Sequence, residues 1–166
     1  MSTANFDLTR FAQNSLPSEE TLQGKRFAVV YAEWNQEITF GLAEGARCGF
    51  TEHGVCEDLL DFYVVPGTFE LTFAASRLLK TGKYSGIVVI GCVIRGETPH
   101  FDYICQGTTE GLALLNKDHD VPVIYGLLTC NNMEQAEMRA GGTLGNKGDE
   151  CAITAIKMVD YKRRLL

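Results

Sequence analysis

The feature of this sequence that most constrains its fold is a set of four short apolar runs separated by longer mixed segments. The runs cover residues 27–32, 59–65, 86–94 and 121–128. Each is rich in Val, Ile, Leu or aromatic residues, has the length of a strand, and lacks a clean alternation of apolar and polar residues. This pattern is typical of strands buried on both faces of a parallel sheet.

The segments between the runs repeat apolar residues at helical intervals. In the first segment, apolar residues recur every four positions and so share one face of a helix. The members of this stripe are Ile38, Leu42, Ala46 and Phe50. Comparable stripes follow at Leu71, Ala74, Ala75 and Leu78, at Ile104, Leu112 and Leu115, and at Ala152, Ile153, Ile156 and Val159.

The order of these elements predicts the topology. Strands and helices alternate until the end of the chain, where a glycine-rich break over residues 141–148 predicts two short final helices. Such alternation is typical of a doubly wound α/β fold, in which right-handed crossovers join parallel strands. Residues 1–24 are polar, contain Pro17 and lack periodicity, so we expect an N-terminal arm outside the core that ends at Gly24. Residues 25–166 then form a single domain.

Charge and composition argue against two classes of partner. The formal net charge of −6 is unsuited to a nucleic-acid surface. No apolar run reaches the ~18 residues that a membrane span needs, and the N-terminus lacks the order of a signal peptide. We therefore expect a cytoplasmic protein that binds neither nucleic acid nor membrane.

The cysteines do not predict a metal site. All six are scattered without a CxxC pair, and only three histidines accompany them. We expect most of them to be small buried residues. Cys130 follows the last apolar run, where we expect it to be accessible enough to react.

The turn after the third apolar run carries the most chemical information. From Gly91 to Asp102, a buried-strand pattern breaks into a glycine turn that presents the Thr98 hydroxyl and the His100 imidazole. Backbone N–H groups at the start of a following helix would face a phosphate. A neutral imidazole is favoured there, and it can accept a proton. The alternative is a surface histidine beside an ordinary turn.

Ligands of open parallel sheets bind beyond the carboxyl ends of the strands, so the residues after the other runs are further candidates. Trp34 is the only tryptophan, and its stacking on a planar heteroaromatic ring would contribute ~0.5–1.5 kcal/mol beyond burial. Asn35 offers a donor and an acceptor to the same ring. Alternatively, Trp34 covers the core and Glu70 only complements the dipole of a helix.

Six segments in this order resemble lumazine synthase, with a likeness that spans residues 25–163. The most specific are the Gly-x-Thr-x-His turn that ends at His100 and the glycine-rich segment from Arg139 to Lys147. The other segments are residues 32–35, residues 65–70, residues 125–129 and the stretch that begins at Glu134. The resemblance implies a three-layer, flavodoxin-like α/β sandwich in which helices flank a four-stranded parallel sheet.

The resemblance also implies an activity, the penultimate step of riboflavin biosynthesis. In this reaction 5-amino-6-(D-ribitylamino)uracil condenses with 3,4-dihydroxy-2-butanone 4-phosphate to give 6,7-dimethyl-8-ribityllumazine, phosphate and water, without a metal or other cofactor. By the same resemblance His100 transfers protons, Arg139 binds the phosphate and Trp34 stacks on the pyrimidine. The further substrate-binding residues that it implies are Asn35, Thr68, Phe69, Glu70, Val93, Ile94, Gly96, Glu97, Thr98, Tyr125 and Lys147.

Sites of this family lie between neighbouring subunits of a homopentamer. The resemblance therefore implies that one subunit supplies the residues from Trp34 to His100 and that its neighbour supplies Tyr125, Arg139 and Lys147. The absence of an insertion between Arg139 and Lys147 favours an icosahedral shell of pentamers over a free pentamer or a pentamer pair.

Two positions depart from the family pattern. Glu97 stands where many members carry a small residue, so its carboxylate must point away from the phosphate or weaken its binding. Trp34 replaces a common phenylalanine, and we hypothesise that its larger face also holds riboflavin. The rival functions are a flavin-binding module without turnover and a shell-forming protein with a vestigial pocket.

Overall fold

The computed structural model describes residues 16–166. Four strands form the main sheet: β1 (Phe27–Ala32), β2 (Leu60–Val65), β3 (Gly86–Ile94) and β4 (Val123–Cys130). The helices are α1 (Glu19–Leu22), α2 (Gln36–Glu52), α3 (Leu71–Lys80), α4 (His100–Asp118), α5 (Met133–Arg139) and α6 (Lys147–Arg163). Short 3₁₀ turns occupy Glu57–Leu59 and Thr68–Glu70, and a small hairpin joins β5 (Ala140–Gly142) to β6 (Gly145–Asn146).

The sheet confirms the predicted α/β fold. Its strands run parallel in the order β2-β1-β3-β4. Alternate residues of β1 and β3 face opposite layers, so Phe27 and Val29 join a core cluster with α2 and α6, whereas Ala28 and Val30 join a cluster with α3 and α4. The result is a three-layer sandwich of helices, sheet and helices.

Burial on both faces holds for the two inner strands only. All residues of β1 except Tyr31 are buried, as are the first seven residues of β3. The prediction is wrong for β2, in which Tyr63 and Val64 are 40% and 50% exposed. An outer strand has a neighbour on one side only, so the helices that cover the middle of the sheet reach it incompletely.

The prediction of two short final helices is correct for the first helix and wrong for the second. Helix α5 has 7 residues, but α6 has 17 and is one of the longest helices of the described chain. The glycines between them form a hairpin in which Gly141 and Gly145 have φ values of 106° and 78°. Asn146 then caps α6, because its side-chain oxygen accepts a hydrogen bond of 2.8 Å from the Gly148 amide.

The described part of the predicted arm does not lie wholly outside the core. Residues 1–15 lie outside the described residues. Leu22 in α1 is only 2% exposed and packs in the cluster beneath α2 and α6. The stretch before Gly24 therefore contributes an apolar anchor to the domain.

Three of the six cysteines, rather than most of them, are buried, two are exposed, and Cys105 is half-buried. Cys92, Cys130 and Cys151 are buried, whereas Cys48 and Cys56 are exposed. The expectation that Cys130 is accessible is wrong, since it is the last residue of β4 and only 7% exposed. Burial raises its thiol pKa, although the charge of Arg139 partly opposes the shift, so its thiolate is disfavoured.

Residues 16–166 contain neither a membrane-spanning helix nor a cluster of metal ligands. None of the helices there is both long enough and apolar enough to cross a membrane. Within the same range, no three His, Cys, Asp or Glu side chains lie together as a metal site requires.

Glycines set the close approach of α2 and α6. A Cβ atom on Gly148 would collide with the Leu42 carbonyl and would lie 2.9 Å from the Ala46 amide nitrogen. On the opposing helix, Gly45 accommodates the Asn146 side chain and Gly49 accommodates Asp149. Because the obstacle at Gly148 is backbone, rotation of a side chain cannot relieve it.

We predict that Gly148→Ala lowers the free energy of unfolding by about 3 kcal/mol or more, the upper range for overpacking a core. Urea denaturation followed by circular dichroism measures the change. Gly41→Ala is the matched control, because its new methyl group would meet only the Ala140 carbonyl oxygen, at 3.6 Å. Equal stabilities of the two variants would contradict the backbone contact.

Candidate active site

A cleft opens beyond the carboxyl ends of the strands, where the sequence places its candidate residues. It has a volume of about 570 Å³. The segment that follows β1 forms most of its wall, together with Pro66 after β2 and Met133 at the start of α5. The residues from this segment are Glu33, Trp34, Asn35, Gln36 and Glu37.

Trp34 is presented to solvent at the edge of this cleft. Its side chain is 73% exposed, which excludes the alternative that it covers the core. The backbone on either side is fixed, since the amides of Glu33 and Trp34 donate to the carbonyls of Val65 and Pro66 at 2.8 and 3.2 Å. An exposed ring on a fixed backbone is suited to stack on a planar ligand.

The turn after β2 lies beside Trp34. A Cβ atom on Gly67 would lie 3.5 Å from Cδ1 of Trp34 and 2.9 Å from Oε2 of Glu70, so ring and carboxylate meet across this glycine. Phe69 is 57% exposed. The Thr68 side chain is instead buried, with Oγ1 2.8 Å from where a Gly91 Cβ would lie. The predicted contact between Thr68 and the ligand therefore concerns its main-chain atoms, and it stays a prediction.

The turn after β3 has the features of an anion site. Val93 and Ile94 are half-buried at the strand end, and the residues from Gly96 to His100 are exposed. The described residues provide no hydrogen-bond acceptor for a group of main-chain amides in this turn and the first helical turn. These amides belong to Gly96, Glu97, Thr98, His100 and Phe101. Unpaired amides at a helix N-terminus favour a phosphate.

Arg95 holds this turn in place. Its amide donates to the Cys130 carbonyl at 2.8 Å. Its guanidinium lies 2.9 Å from Asp102 and 4.1 Å from the centre of the Phe101 ring. Contacts of Arg95 with the end of β4 and with the first turn of α4 therefore hold the turn that bears His100 in place.

Tyr125 and Lys147 lie in a different cleft, of about 680 Å³, between the end of α4, strand β4 and helix α6. The Tyr125 hydroxyl lies 2.8 Å from that of Thr109. Burial raises the pKa of Tyr125, although this hydrogen bond opposes the shift. Tyr125 is therefore a neutral aromatic residue at the edge of the sheet.

Arg139 and Lys147 converge on a residue that the sequence reasoning missed, Glu150. The Arg139 guanidinium donates to both Glu150 carboxylate oxygens, at 2.8 and 3.1 Å, and to the Leu144 carbonyl at 2.9 Å. The Lys147 ammonium donates to Glu150 at 3.0 Å. The side chains of Arg139 and Glu150 are only 12% and 11% exposed, so this is a partly buried ion triad.

One signal of Glu150 was available in the sequence. Its spacing of three residues from Lys147 permits an ion pair on one helix. An acidic residue in the first helical turn is, however, usually explained by the helix dipole alone. The contact with Arg139 crosses the β5–β6 hairpin, which no local pattern indicates.

Two opposing effects act on the pKa of Glu150. Burial raises it, but hydrogen bonds from Arg139 and Lys147 together with their charges outweigh burial, and the net shift is downward. The carboxylate is thus ionised at neutral pH and keeps both cations in fixed positions.

The structure brings the predicted residues together in two groups. Trp34, Asn35 and the turns at Thr68 and His100 lie around one end of the sheet. Tyr125 and Lys147 line the other cleft. Arg139, which the resemblance places with Tyr125 and Lys147, is not among the residues that line this cleft, but Glu150 joins it to Lys147.

Comparison with known proteins identifies the family. A family model described as 6,7-dimethyl-8-ribityllumazine synthase matches residues 24–163. The chain belongs to the 6,7-dimethyl-8-ribityllumazine synthase family.

Several curated relatives bear the same name. A 6,7-dimethyl-8-ribityllumazine synthase of Phocaeicola vulgatus is 53% identical over 165 residues, which cover 99% of this chain and 96% of the relative. The synthase of Bacteroides fragilis is 56% identical over 136 residues, 82% of this chain and 95% of the relative. The synthase of Parabacteroides distasonis is 48% identical over 161 residues, 97% of this chain and 99% of the relative. The lumazine synthase match includes every candidate residue from Trp34 to Lys147.

We predict that Glu150→Gln lowers the free energy of unfolding at pH 7 by about 3 kcal/mol, the lower end for breaking a buried ion pair, because Gln still accepts a hydrogen bond. A carboxyl with a lowered pKa stabilises the fold above its unfolded pKa, near 4.5. In the native chain this contribution is lost as the pH falls through the lower folded value. In the Glu150→Gln variant, the part of the pH dependence of the unfolding free energy that comes from this carboxyl disappears.

Urea unfolding between pH 3 and pH 7 measures both effects. Glu44→Gln is the control, because Glu44 pairs with Arg47 while its side chain is 65% exposed, and exposed pairs contribute only about 0–1 kcal/mol. The same loss in both variants would show that the Glu150 triad does not stabilise the fold.

Proposed function

We propose that the chain condenses 5-amino-6-(D-ribitylamino)uracil with 3,4-dihydroxy-2-butanone 4-phosphate to form 6,7-dimethyl-8-ribityllumazine, the penultimate step of riboflavin biosynthesis. Family membership over residues 24–163 supports this activity. The observation that carries the assignment of the site is the exposed turn from Gly96 to His100, which combines an imidazole with unpaired amides at a helix N-terminus.

The reaction needs several proton transfers, and His100 is the residue that we assign to them. The amine of the pyrimidine attacks the butanone carbonyl, and loss of water gives a Schiff base. Phosphate then leaves, the ring closes, and a second water is lost. An imidazole can accept a proton in one step and donate it in another. Because two dilute reactants are held side by side, positioning supplies much of the rate.

The phosphate is assigned to two sets of donors. The amides of Glu97 and Thr98, with the Thr98 hydroxyl, form the first set. Arg139 and Lys147 form the second. Three N–H bonds of Arg139 are used by Leu144 and Glu150, so two of its five remain for a ligand. Two cations and one carboxylate leave the triad with one net positive charge, which suits an anion.

The pyrimidine and its ribityl chain are assigned to the cleft beside Trp34. The exposed Trp34 ring supplies a stacking face. Asn35, the turn from Thr68 to Glu70 and the strand end at Val93 and Ile94 surround it. Tyr125 completes the pocket from the neighbouring subunit.

A flavin-binding module without turnover and a shell-forming protein are the alternatives. Neither needs an exposed imidazole beside a phosphate site, and the relatives bear the name of a synthase. Steady-state formation of the lumazine chromophore from the two substrates distinguishes the enzyme from both.

We predict that His100→Ala lowers kcat of lumazine formation by about 100-fold or more, the range for loss of a general acid–base group. Absorbance of the lumazine product measures the rate. His53→Ala is the matched control, since His53 follows α2 at the end of that helix remote from Trp34 and lines neither cleft. Wild-type activity in the His100 variant would remove the imidazole from the mechanism.

We also propose that the protein assembles as homopentamers with active sites between adjacent subunits and that these pentamers form an icosahedral shell. Trp34 and Asn35 line one cleft of the chain, whereas Tyr125 and Lys147 line another, and this separation supports the shared site. The absence of an insertion between Arg139 and Lys147 supports the shell. Light scattering gives the mass, and the mass of one pentamer would contradict the shell.

Mixing two inactive variants tests the shared site. We predict that co-assembled His100→Ala and Arg139→Gln subunits regain about a quarter of the wild-type activity, since one in four interfaces in a random ring carries both native residues. A mixture of wild-type chain with the double variant is the control, and it also gives about a quarter if the site is shared. If one chain supplied both residues, the first mixture would stay inactive and the control would retain about half.

A cytoplasmic location is part of the same proposal. All six cysteines are free, which suits a reducing compartment. Cell fractionation followed by immunodetection of the chain tests it.

A further inference from the structure

Asn35 has the most unusual backbone in the described chain. It is the only residue other than glycine with a positive φ among residues 16–166, at φ 58° and ψ 45°. This left-handed conformation is disfavoured for residues with a Cβ atom, but Asn tolerates it. Asn35 lies between Trp34, whose ring is exposed, and the first residue of α2.

The Asn35 side chain ties this bend to the neighbouring strand. Its Nδ2 donates a hydrogen bond of 2.8 Å to the Cys92 carbonyl. Main-chain pairing between β1 and β3 ends earlier, at Tyr31 and Ile90. The side-chain amide therefore continues the contact between the two strands after the backbone of β1 has turned away.

The same residue starts the following helix. Its carbonyl accepts hydrogen bonds from the amides of Ile38 and Thr39, at 2.9 and 3.0 Å. On the other side, the Trp34 amide donates to Pro66 at the end of β2. Trp34 is thus held between an anchor on β2 and an anchor on β3.

The hydrogen bond also fixes the orientation of the Asn35 amide. A carbonyl only accepts, so the NH₂ group must face Cys92. In the described residues, Oδ1 and the second N–H have no partner, and Asn35 lines the cleft beside Trp34. The orientation of the groups available to a ligand is therefore set before the ligand arrives.

We propose that Asn35 is a positioning residue: its tether to Cys92 and its left-handed backbone together fix the direction in which the Trp34 ring faces the cleft. This goes beyond a direct contact between Asn35 and the ligand. The part of the inference that concerns the pyrimidine rests on the proposed function. The part that concerns Trp34 does not, because it is a property of the free protein.

The single tryptophan makes the inference directly measurable. All tryptophan fluorescence of the chain arises from Trp34, and its time-resolved anisotropy reports local motion of the ring. Asn35→Gly keeps the left-handed backbone accessible and removes the tether. Asn35→Asp keeps the shape and the tolerance of this backbone but replaces the donor with an acceptor. Asn131→Asp, at an exposed position after β4, is the matched control.

We expect the fast component of the anisotropy decay to increase at least twofold in both Asn35 variants and to stay unchanged in the Asn131 variant. The dissociation constant of 5-amino-6-(D-ribitylamino)uracil, from quenching of Trp34, should rise about tenfold, as expected for the loss of an orienting hydrogen bond. The KM for the butanone phosphate should change less than twofold.

Two results would overturn the inference. Native anisotropy in both Asn35 variants would show that the tether does not hold the ring. Weaker binding with native anisotropy would show that Asn35 acts by contact with the ligand alone. If the wild-type protein formed no lumazine, the proposed function would fail, yet the anisotropy of the ligand-free variants would still decide the role of Asn35.

Discussion

The parallel alignment of four strands is the constraint on which the candidate site depends. Because every strand runs in the same direction, each carboxyl end lies at one edge of the sheet, and residues distant in sequence meet there. The turns at Trp34, Thr68 and His100 owe their proximity to this alignment. The burial of β1 and β3 between two helical layers makes that edge rigid.

Local patterns in the sequence predicted this architecture well. The first and third apolar runs coincide with β1 and β3, and the helical stripes coincide with α2, α3, α4 and α6. Burial and periodicity act over a few residues, so the sequence displays them directly. Exposure of β2 was missed, because a strand's place at the edge depends on the order of strands in space, which no single run encodes.

The candidate site was predictable only in part, for a comparable reason. His100 and Trp34 could be named as candidates because each lies in a turn that follows a strand of the sheet. Glu150 was missed because its contact with Arg139 crosses a hairpin. The tether from Asn35 to Cys92 joins residues 57 positions apart. Long-range polar contacts of this kind leave no periodic signal, although they determine how the candidate groups are oriented.

The glycine contact between α2 and α6 has a consequence for the position of α6. Helix α2 begins beside Trp34, whereas the first turn of α6 carries Lys147 and Glu150. Since Gly148 lies against the backbone of α2, no side chain separates the two helices at this point. The first turn of α6, with Lys147 and Glu150, therefore takes its position directly from the main chain of the helix that begins beside Trp34.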